Sequence, residues 1–340
     1  VTYAAVAMQL TARSVEGCAD RAAVSAQVLG HIADVATQLH AACIFIEQFG
    51  GAPVRLAVLP EYLFTSYPGR IGVGDFADKV AFDVDGPEYA ALGRVAQDRR
   101  LHLAVNAYER DVHFPGLYFQ ASLVFAPSGD CVLRYRRLNS MFAPTPHDVW
   151  TAYLDRYGIN GVFPVARTEI GNLSAIASEE IIYPEIARAH ALRGAEVLVH
   201  SSSEIGSPNP THKALAKRAR ALENLAYVVS ANTAGISGTA LPLASADGNS
   251  CVVDWRGAVL SESNSGETFT AFGDIDLHAL RAARRKPGMT NYLARQRTEL
   301  FAHNPVVQPA DGLAGIEPTR DHFRRAHDDV IARLDREGLI

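Results

Sequence analysis

The sequence predicts an α/β fold, and three observations predict it. Apolar runs of strand length recur along the chain. Stretches whose apolar residues repeat every three or four positions lie between several of them. The rhythm then shifts to strand–turn–strand pairs, so that long strands flanked by helices form two α/β halves.

The elements follow in order. YAAVAMQL (Tyr3–Leu10) is a near-continuous apolar run that reads as a strand. Val24, Val28, Ile32, Val35 and Leu39 lie on one face of a long helix. VRLAVLPE (Val54–Glu61) is a second buried strand, Pro87 and Glu88 open a helix to Asp98, and LHLAVNAYE (Leu101–Glu109) is a third strand. Leu117–Leu138 reads as a hairpin around a Pro-Ser-Gly-Asp turn. VFPVART and LSAIAS pair around a turn near Gly171 and Asn172. A helix at Pro184–Arg193 leads to the strand AEVLVH, then a helix containing HKALAKRARALENLA, then YVVSANTA. SCVVDWRGAVLSES and TFTAFGDIDL make a second hairpin region. A Pro/Gly-rich arm after Asn304 ends in the helix RDHFRRAHDDVIARLDREG; such an arm packs on a partner subunit or lies as a surface tail.

Composition narrows the function. With 340 residues, 48% of them apolar, the chain can bury one large core or two small ones. A formal charge of -5 supplies no basic field for nucleic acid. Cys18, Cys43, Cys131 and Cys251 are scattered without a CxxC pair, which fits a reducing compartment and argues against disulfide or thiolate-zinc frameworks. VTYAAVAMQLTARS reads as a first strand and not a signal peptide, and no run is expected to reach the length of a membrane span. A cytoplasmic protein without membrane or nucleic-acid partners is expected.

Several residues ask for a chemical reason. Glu61 ends a buried strand, where a carboxylate is costly unless paired or working, and where ligands of α/β sheets collect. In RYRRLN, alternation places Arg134 and Arg136 on one face and Tyr135 and Arg137 on the other; one of the arginines could pair with Glu61. Ser178 closes LSAIAS before a bend, as a nucleophile or as a partner of a backbone group. No GxSxG elbow surrounds it, GxGxxG is absent, and the spacings of His147, His200 and His212 match no metal motif, so no cofactor and no metal are expected.

Together these segments resemble the nitrilase superfamily of carbon–nitrogen hydrolases, in its amidase-like branches. LAVLPEYLF (Leu56–Phe64) resembles the segment bearing the catalytic base, which implies Glu61. LRYRRLN (Leu133–Asn139) resembles the YRK segment, with Arg137 at the lysine position. LSAIASEEIIYPEIARAHALRGAEVLV resembles the nucleophile segment, and counting back from Pro184 and Glu185 puts Ser178 at the cysteine position. RARALENLAYVVSANTAG (Arg218–Gly235) resembles a further stretch, so the likeness covers about residues 3 to 285.

The resemblance implies a four-layer αββα sandwich with two six-stranded sheets. One domain would span 1–303, with 304–340 an arm and helix at a subunit interface. Protomers would join helix face to helix face, as a homodimer or larger homo-oligomer. It also implies a thiolate that attacks an amide or nitrile carbon, a glutamate that moves protons, and a lysine that stabilises the anion. Arg137 keeps that charge on a larger planar fork, whereas a hydroxyl is a weak nucleophile for which Glu61 is a poor base. Three readings stay open: a cysteine amidase whose nucleophile was replaced by serine, a natural inactive relative that binds a small amide or acid or acts as a scaffold, and a member with Ser178 as true nucleophile. The first two share the expectation that the chain as written is inactive or very slow. The family's second glutamate has no counterpart except Asp148, beside His147.

The substrate class implied is a small amide-like compound. Tyr67, His113 and Phe114 stand in loops after family-matching strands, and His200, Ser201, Ser202 and Glu204 in a loop that lines the family's ligand site. Glu179 would hold Arg137 or an amine on the ligand, and Glu180 is read as a simple cap.

Overall fold

The computed structural model describes residues 1–206, 209–264, 266–301, 310–313 and 315–338. Its first half runs β1 (Thr2–Ala7), β2 (Thr11–Arg13), α1 (Arg21–Gly50), β3 (Val54–Val58), α2 (Val73–Lys79), β4 (Phe82–Asp83), α3 (Pro87–Arg99), β5 (His102–Arg110), β6 (Phe119–Phe125) and β7 (Cys131–Arg136). A connecting helix α4 (Trp150–Val162) leads to β8 (Ala166–Thr168), β9 (Gly171–Ala177), α5 (Pro184–Leu192), β10 (Val197–Ser202), α6 (His212–Asn224), β11 (Tyr227–Asn232), β12 (Gly235–Ser237), β13 (Ser250–Val253) and β14 (Val259–Ser263). Then follow β15 (Phe272–Asp276), α7 (Leu277–Arg285) and α8 (Arg320–Arg336).

Two sheets form. The first has the order β15-β1-β3-β5-β6-β7, with β4 beside β5, and the second the order β14-β13-β11-β10-β9-β8. Each has a parallel centre, β1-β3-β5 and β9-β10-β11, fed by crossover helices. The period of two divides each strand. Tyr3, Ala5 and Ala7 join the core between the sheets, while Ala4 and Val6 pack with Val28, Ile32 and Val35 of α1. Burial on both faces explains why these strands read as unbroken apolar runs. Helices α1 and α3 cover the first sheet and α5 and α6 the second, giving the αββα sandwich, with seven and six strands in place of six and six.

Two expectations change. TFTAFGDIDL does not complete a second hairpin: β15 crosses to the first sheet and pairs antiparallel with β1, from Thr2↔Asp276 to Val6↔Phe272. The pairing covers an edge that β1 would otherwise leave open. Helix α1 does reach the length and apolarity of a membrane span, contrary to the sequence reading, but Val24, Val28, Ile32, Val35, Leu39 and Ile46 are buried against the first sheet. The division at 303/304 lies outside the described residues. Helix α8 rests on this chain's own first half: Leu313 and Phe323 enter the core, and Arg320 donates to the Ile71 and Phe142 carbonyls.

Candidate active site

The parallel centres of both sheets bring strand ends to one place. Glu61 follows β3, Arg137 follows β7, Ser178 follows β9 and Ser203 follows β10. Backbone and side chain stitch these ends together across the sandwich. Glu61 N–H donates to the Ser202 carbonyl at 3.3 Å, and Ser201 Oγ donates to the Leu59 carbonyl at 2.7 Å.

Glu61 is 2% exposed, and both its oxygens are engaged. Oε1 accepts from Gln120 Nε2 at 2.7 Å and Oε2 from Ser203 Oγ at 2.6 Å. Arg137 NH1 stands 3.7 Å from Oε1 and donates to Gln120 Oε1 at 2.8 Å, so the glutamine links cation and carboxylate. Arg137 NH2 pairs with Glu179, and Nε donates to the Asn139 carbonyl at 2.6 Å. Burial opposes the charge on Arg137, but Glu179, Glu61 and Glu180 outweigh it and hold the guanidinium more firmly cationic than usual.

Ser178 stands at the β9 terminus with φ 52°, in the left-handed region where a non-glycine residue is strained. Its carbonyl accepts from His200 Nε2 at 2.7 Å, and its Oγ is 3.4 Å from Lys213 Nζ. The same ammonium lies 3.2 Å from Ser202 Oγ. No hydrogen bond joins Ser178 to Glu61 among the described residues. Glu180 is not a helix cap. It is fully buried and accepts from Tyr135 Oη at 2.7 Å and from the Leu138 and Asn139 amides at 2.8 and 2.9 Å. Burial raises its pKa, and these donors and Arg137 oppose the rise.

The remaining predicted residues divide. Tyr67 lies at the rim, its ring 6.2 Å from that of Tyr62, whose phenol feels the Glu61 charge. Glu179 faces Arg137. His200 does not reach outward: it is buried, and with Nε2–H given to Ser178, Nδ1 accepts from Ser230 Oγ at 2.8 Å. Burial and the Lys217 charge hold its pKa well below the usual histidine range. Ser201 is a link between sheets, and Glu204 accepts from Thr211 Oγ1 at 2.8 Å, which steadies the start of α6. His113 and Phe114 stand elsewhere. They line a cavity of about 700 Å³ with Asp78, Asp111 and Arg134, and none of Glu61, Arg137 and Ser178 lines it. Asp148 is engaged in a capping box with Thr145. Among the described residues, no cluster of three or more His, Cys, Asp or Glu could hold a metal ion.

The sequence reading missed Gln120, Ser203 and Lys213, and it missed a second polar cluster. Glu109, fully buried, accepts from Arg136 Nε at 2.7 Å, Arg134 Nε at 3.2 Å and the Tyr89 hydroxyl. Arg136 NH2 also pairs with Asp111 at 2.8 Å. Cys131, a free thiol at the head of β7, feels the charges of Arg134 and Glu109. Burial pushes it up to about 11, and Sγ lies 3.3 Å from the Leu133 carbonyl.

With this geometry in place, similarity to known proteins becomes informative. The family model described as carbon-nitrogen hydrolase matches residues 21–285. The omega-amidase NIT2 of Mus musculus is 25% identical over 261 residues, covering 76% of this chain and 89% of that protein. A carbon-nitrogen hydrolase from Helicobacter pylori G27 superposes with a TM-score of 0.64 at 21% identity, covering 88% of this chain and 97% of that one. Nit3 of Saccharomyces cerevisiae, from branch 10 of the nitrilase superfamily, gives 0.63 at 19%, covering 84% and 93%.

One expectation is corrected here. The chain is not to be described as a hydrolase disabled by serine, as an active-site mutant or as an inactive relative. The family's model runs from residue 21 to 285, and an intact cysteine, Cys131, lies in the field of Arg134 and Glu109, the latter paired with Arg136. Nothing in the structure marks position 178 as replaced. The serine there is also no isolated hydroxyl, since Lys213 stands beside it.

Proposed function

Because the chain belongs to the carbon–nitrogen hydrolase family, we propose that it hydrolyses the C–N bond of a small amide, and does so with the residues it carries. The observation that carries this reading is the meeting of Glu61, Arg137 and the Ser178–Lys213 pair at one end of the sandwich. Ser178 Oγ supplies the attacking atom, Arg137 a cation for the developing oxyanion, and Glu61 a carboxylate that exchanges protons with water or the leaving nitrogen. Tyr67 and Glu179, at the rim, meet a polar amide.

A second reading places the attack on Cys131, and the observation that favours it is the thiol's position beside Glu109 and Arg134, the latter lining the 700 Å³ cavity. The burial that keeps this thiol protonated weighs against it. Ammonia release from a panel of small primary amides separates the two. Ser178→Ala abolishes release and Cys131→Ala leaves it intact if the strand-end site works. The reverse pattern moves the chemistry to Cys131, and no release by the unaltered chain across the panel removes the hydrolase reading.

The assembly belongs to the same proposal. Ile182, Tyr183, Leu192, Leu215 and Leu222 leave large apolar side chains exposed around α5 and α6, which suits a homodimer through that face. Sedimentation of the unaltered chain as a monomer at micromolar concentration would remove it. Four free cysteines suit the cytoplasm, which cell fractionation tests.

A further inference from the structure

Resting on the hydrolase reading above, we propose that Lys213 is a further catalytic residue: its Nζ takes the proton from Ser178 Oγ. The sequence reading gave that task to Glu61. The geometry does not: both Glu61 oxygens accept from other donors, at 2.7 and 2.6 Å, and no hydrogen bond links it to Ser178 among the described residues. Lys213 Nζ donates to Ser178 Oγ at 3.4 Å and to Ser202 Oγ at 3.2 Å. Among the described residues its side-chain partners are these two hydroxyls, and it forms no ion pair. As an ammonium Nζ donates to both hydroxyls; with no carboxylate paired to it among the described residues, the same Nζ, once deprotonated, can take the Ser178 proton.

The placement is built from several elements. Helix α6 begins at His212, with Thr211 capping Ala214 N at 3.2 Å and Glu204 holding the Thr211 hydroxyl. Lys213 therefore projects from a fixed first turn. Ser178 is fixed from the other side, by its left-handed backbone and by His200 on its carbonyl. One helical turn beyond Lys213, buried Lys217 donates to the Asn249 carbonyl at 3.1 Å and keeps a second cation near.

Acting as base, Lys213 takes the Oγ proton as Oγ bonds to the amide carbon, giving a tetrahedral anion beside Arg137. Collapse breaks the C–N bond, and the Lys213 ammonium gives its proton to the departing nitrogen. Water then attacks the ester, its proton passes to Lys213, and breaking the C–Oγ bond returns that proton to Ser178. Amide and water become acid and ammonia.

The test needs no knowledge of the substrate. An alkyl fluorophosphonate reacts with an activated serine: an Oγ–P bond forms, fluoride leaves, and the hydroxyl proton passes to the base. Its rate and site are read by intact mass and peptide mapping on the full chain, with Tm checked for each variant. The unaltered chain is expected to label at Ser178. Lys213→Met and Lys213→Arg should each slow labelling about 100-fold or more, since arginine keeps the charge but cannot take up a proton. Added ethylamine should restore part of the rate to Lys213→Ala. Labelling of Lys213→Arg at the unaltered rate would make Lys213 a fixed cation and overturn the proposal, as would unchanged labelling of Lys213→Met. Loss of amide hydrolysis in Ser178→Ala beside full activity in every Lys213 variant sinks this inference alone. Hydrolysis that survives Ser178→Ala sinks the underlying reading.

Discussion

Arg136 and Arg137 are neighbours with opposite duties. Arg136 turns to the helix side of the first sheet, 1% exposed, between Glu109 and Asp111 and over the rings of Phe119 and Tyr157. Arg137 turns to the strand-end site. Replacing Arg136 by Met would leave two buried carboxylates short of a cation, and unfolding by urea should show a loss of about 3–5 kcal/mol. Turnover per folded molecule should be unchanged; a collapse in kcat of the folded variant would shift the chemistry towards Cys131. The alternation behind this division is legible in RYRRLN, and a buried-strand glutamate is legible at position 61, because both follow from a period of two. Lys213 was not legible. In HKALAKRARALENLA it reads as one more charge on a solvated helix, and only the fold places it beside a residue 35 positions earlier.

Among elements, the approach of α3 to the β6–β7 turn is a tight constraint. A Cβ at Gly93 would stand 2.3 Å from the Gly129 carbonyl, itself in a turn with φ 92°. Gly93→Ala must push helix and hairpin apart, and thermal unfolding should register a loss of about 1–3 kcal/mol; an unchanged Tm would mean that the helix is free to slide. Helix α6 shows how one element can serve a site twice. It presents Lys213 to Ser178, and its Arg220, through Nε and NH2, binds the Ile181 and Ile182 carbonyls at 2.9 and 3.0 Å, which fixes the bend after Ser178. Strands and long helices could be read because burial prints their periods on the sequence. Helix α4 could not: Gly158, with φ 61°, breaks it before a helical stripe can repeat. The role of β15 was hidden for another reason, since local pattern gives a strand but not the sheet that it joins.

For the whole molecule, buried histidines set the response to acid. Burial holds His31 down to about 4, His190 to about 3 and His200 well below the usual range. In the unfolded chain each takes up a proton near pH 6.5. Between that pH and their native values the unfolded state binds more protons, so stability is lost as pH falls. Each contributes about 1.4 kcal/mol per pH unit, about 4 for these three, and His102, which burial also lowers, adds to the same trend. Glu180, with its raised pKa, offsets part of this. Denaturant titrations from pH 7 to 5 should show the decline, and His190→Phe should flatten it by about 1.4 kcal/mol per pH unit; an unaltered slope would mean that His190 titrates normally in the native state. The closure of the first sheet by β15 has a consequence for synthesis. On the ribosome, β1 is made well before β15, so its outer hydrogen-bonding groups meet their partners only when residues 272–276 follow. Until then the nascent chain carries an unprotected edge. A product stopped after residue 269 should recruit chaperones and precipitate, while adding the short segment through Asp276 restores recovery in the supernatant. Equal recovery of both products would show that some other segment shields β1 until the last strand arrives.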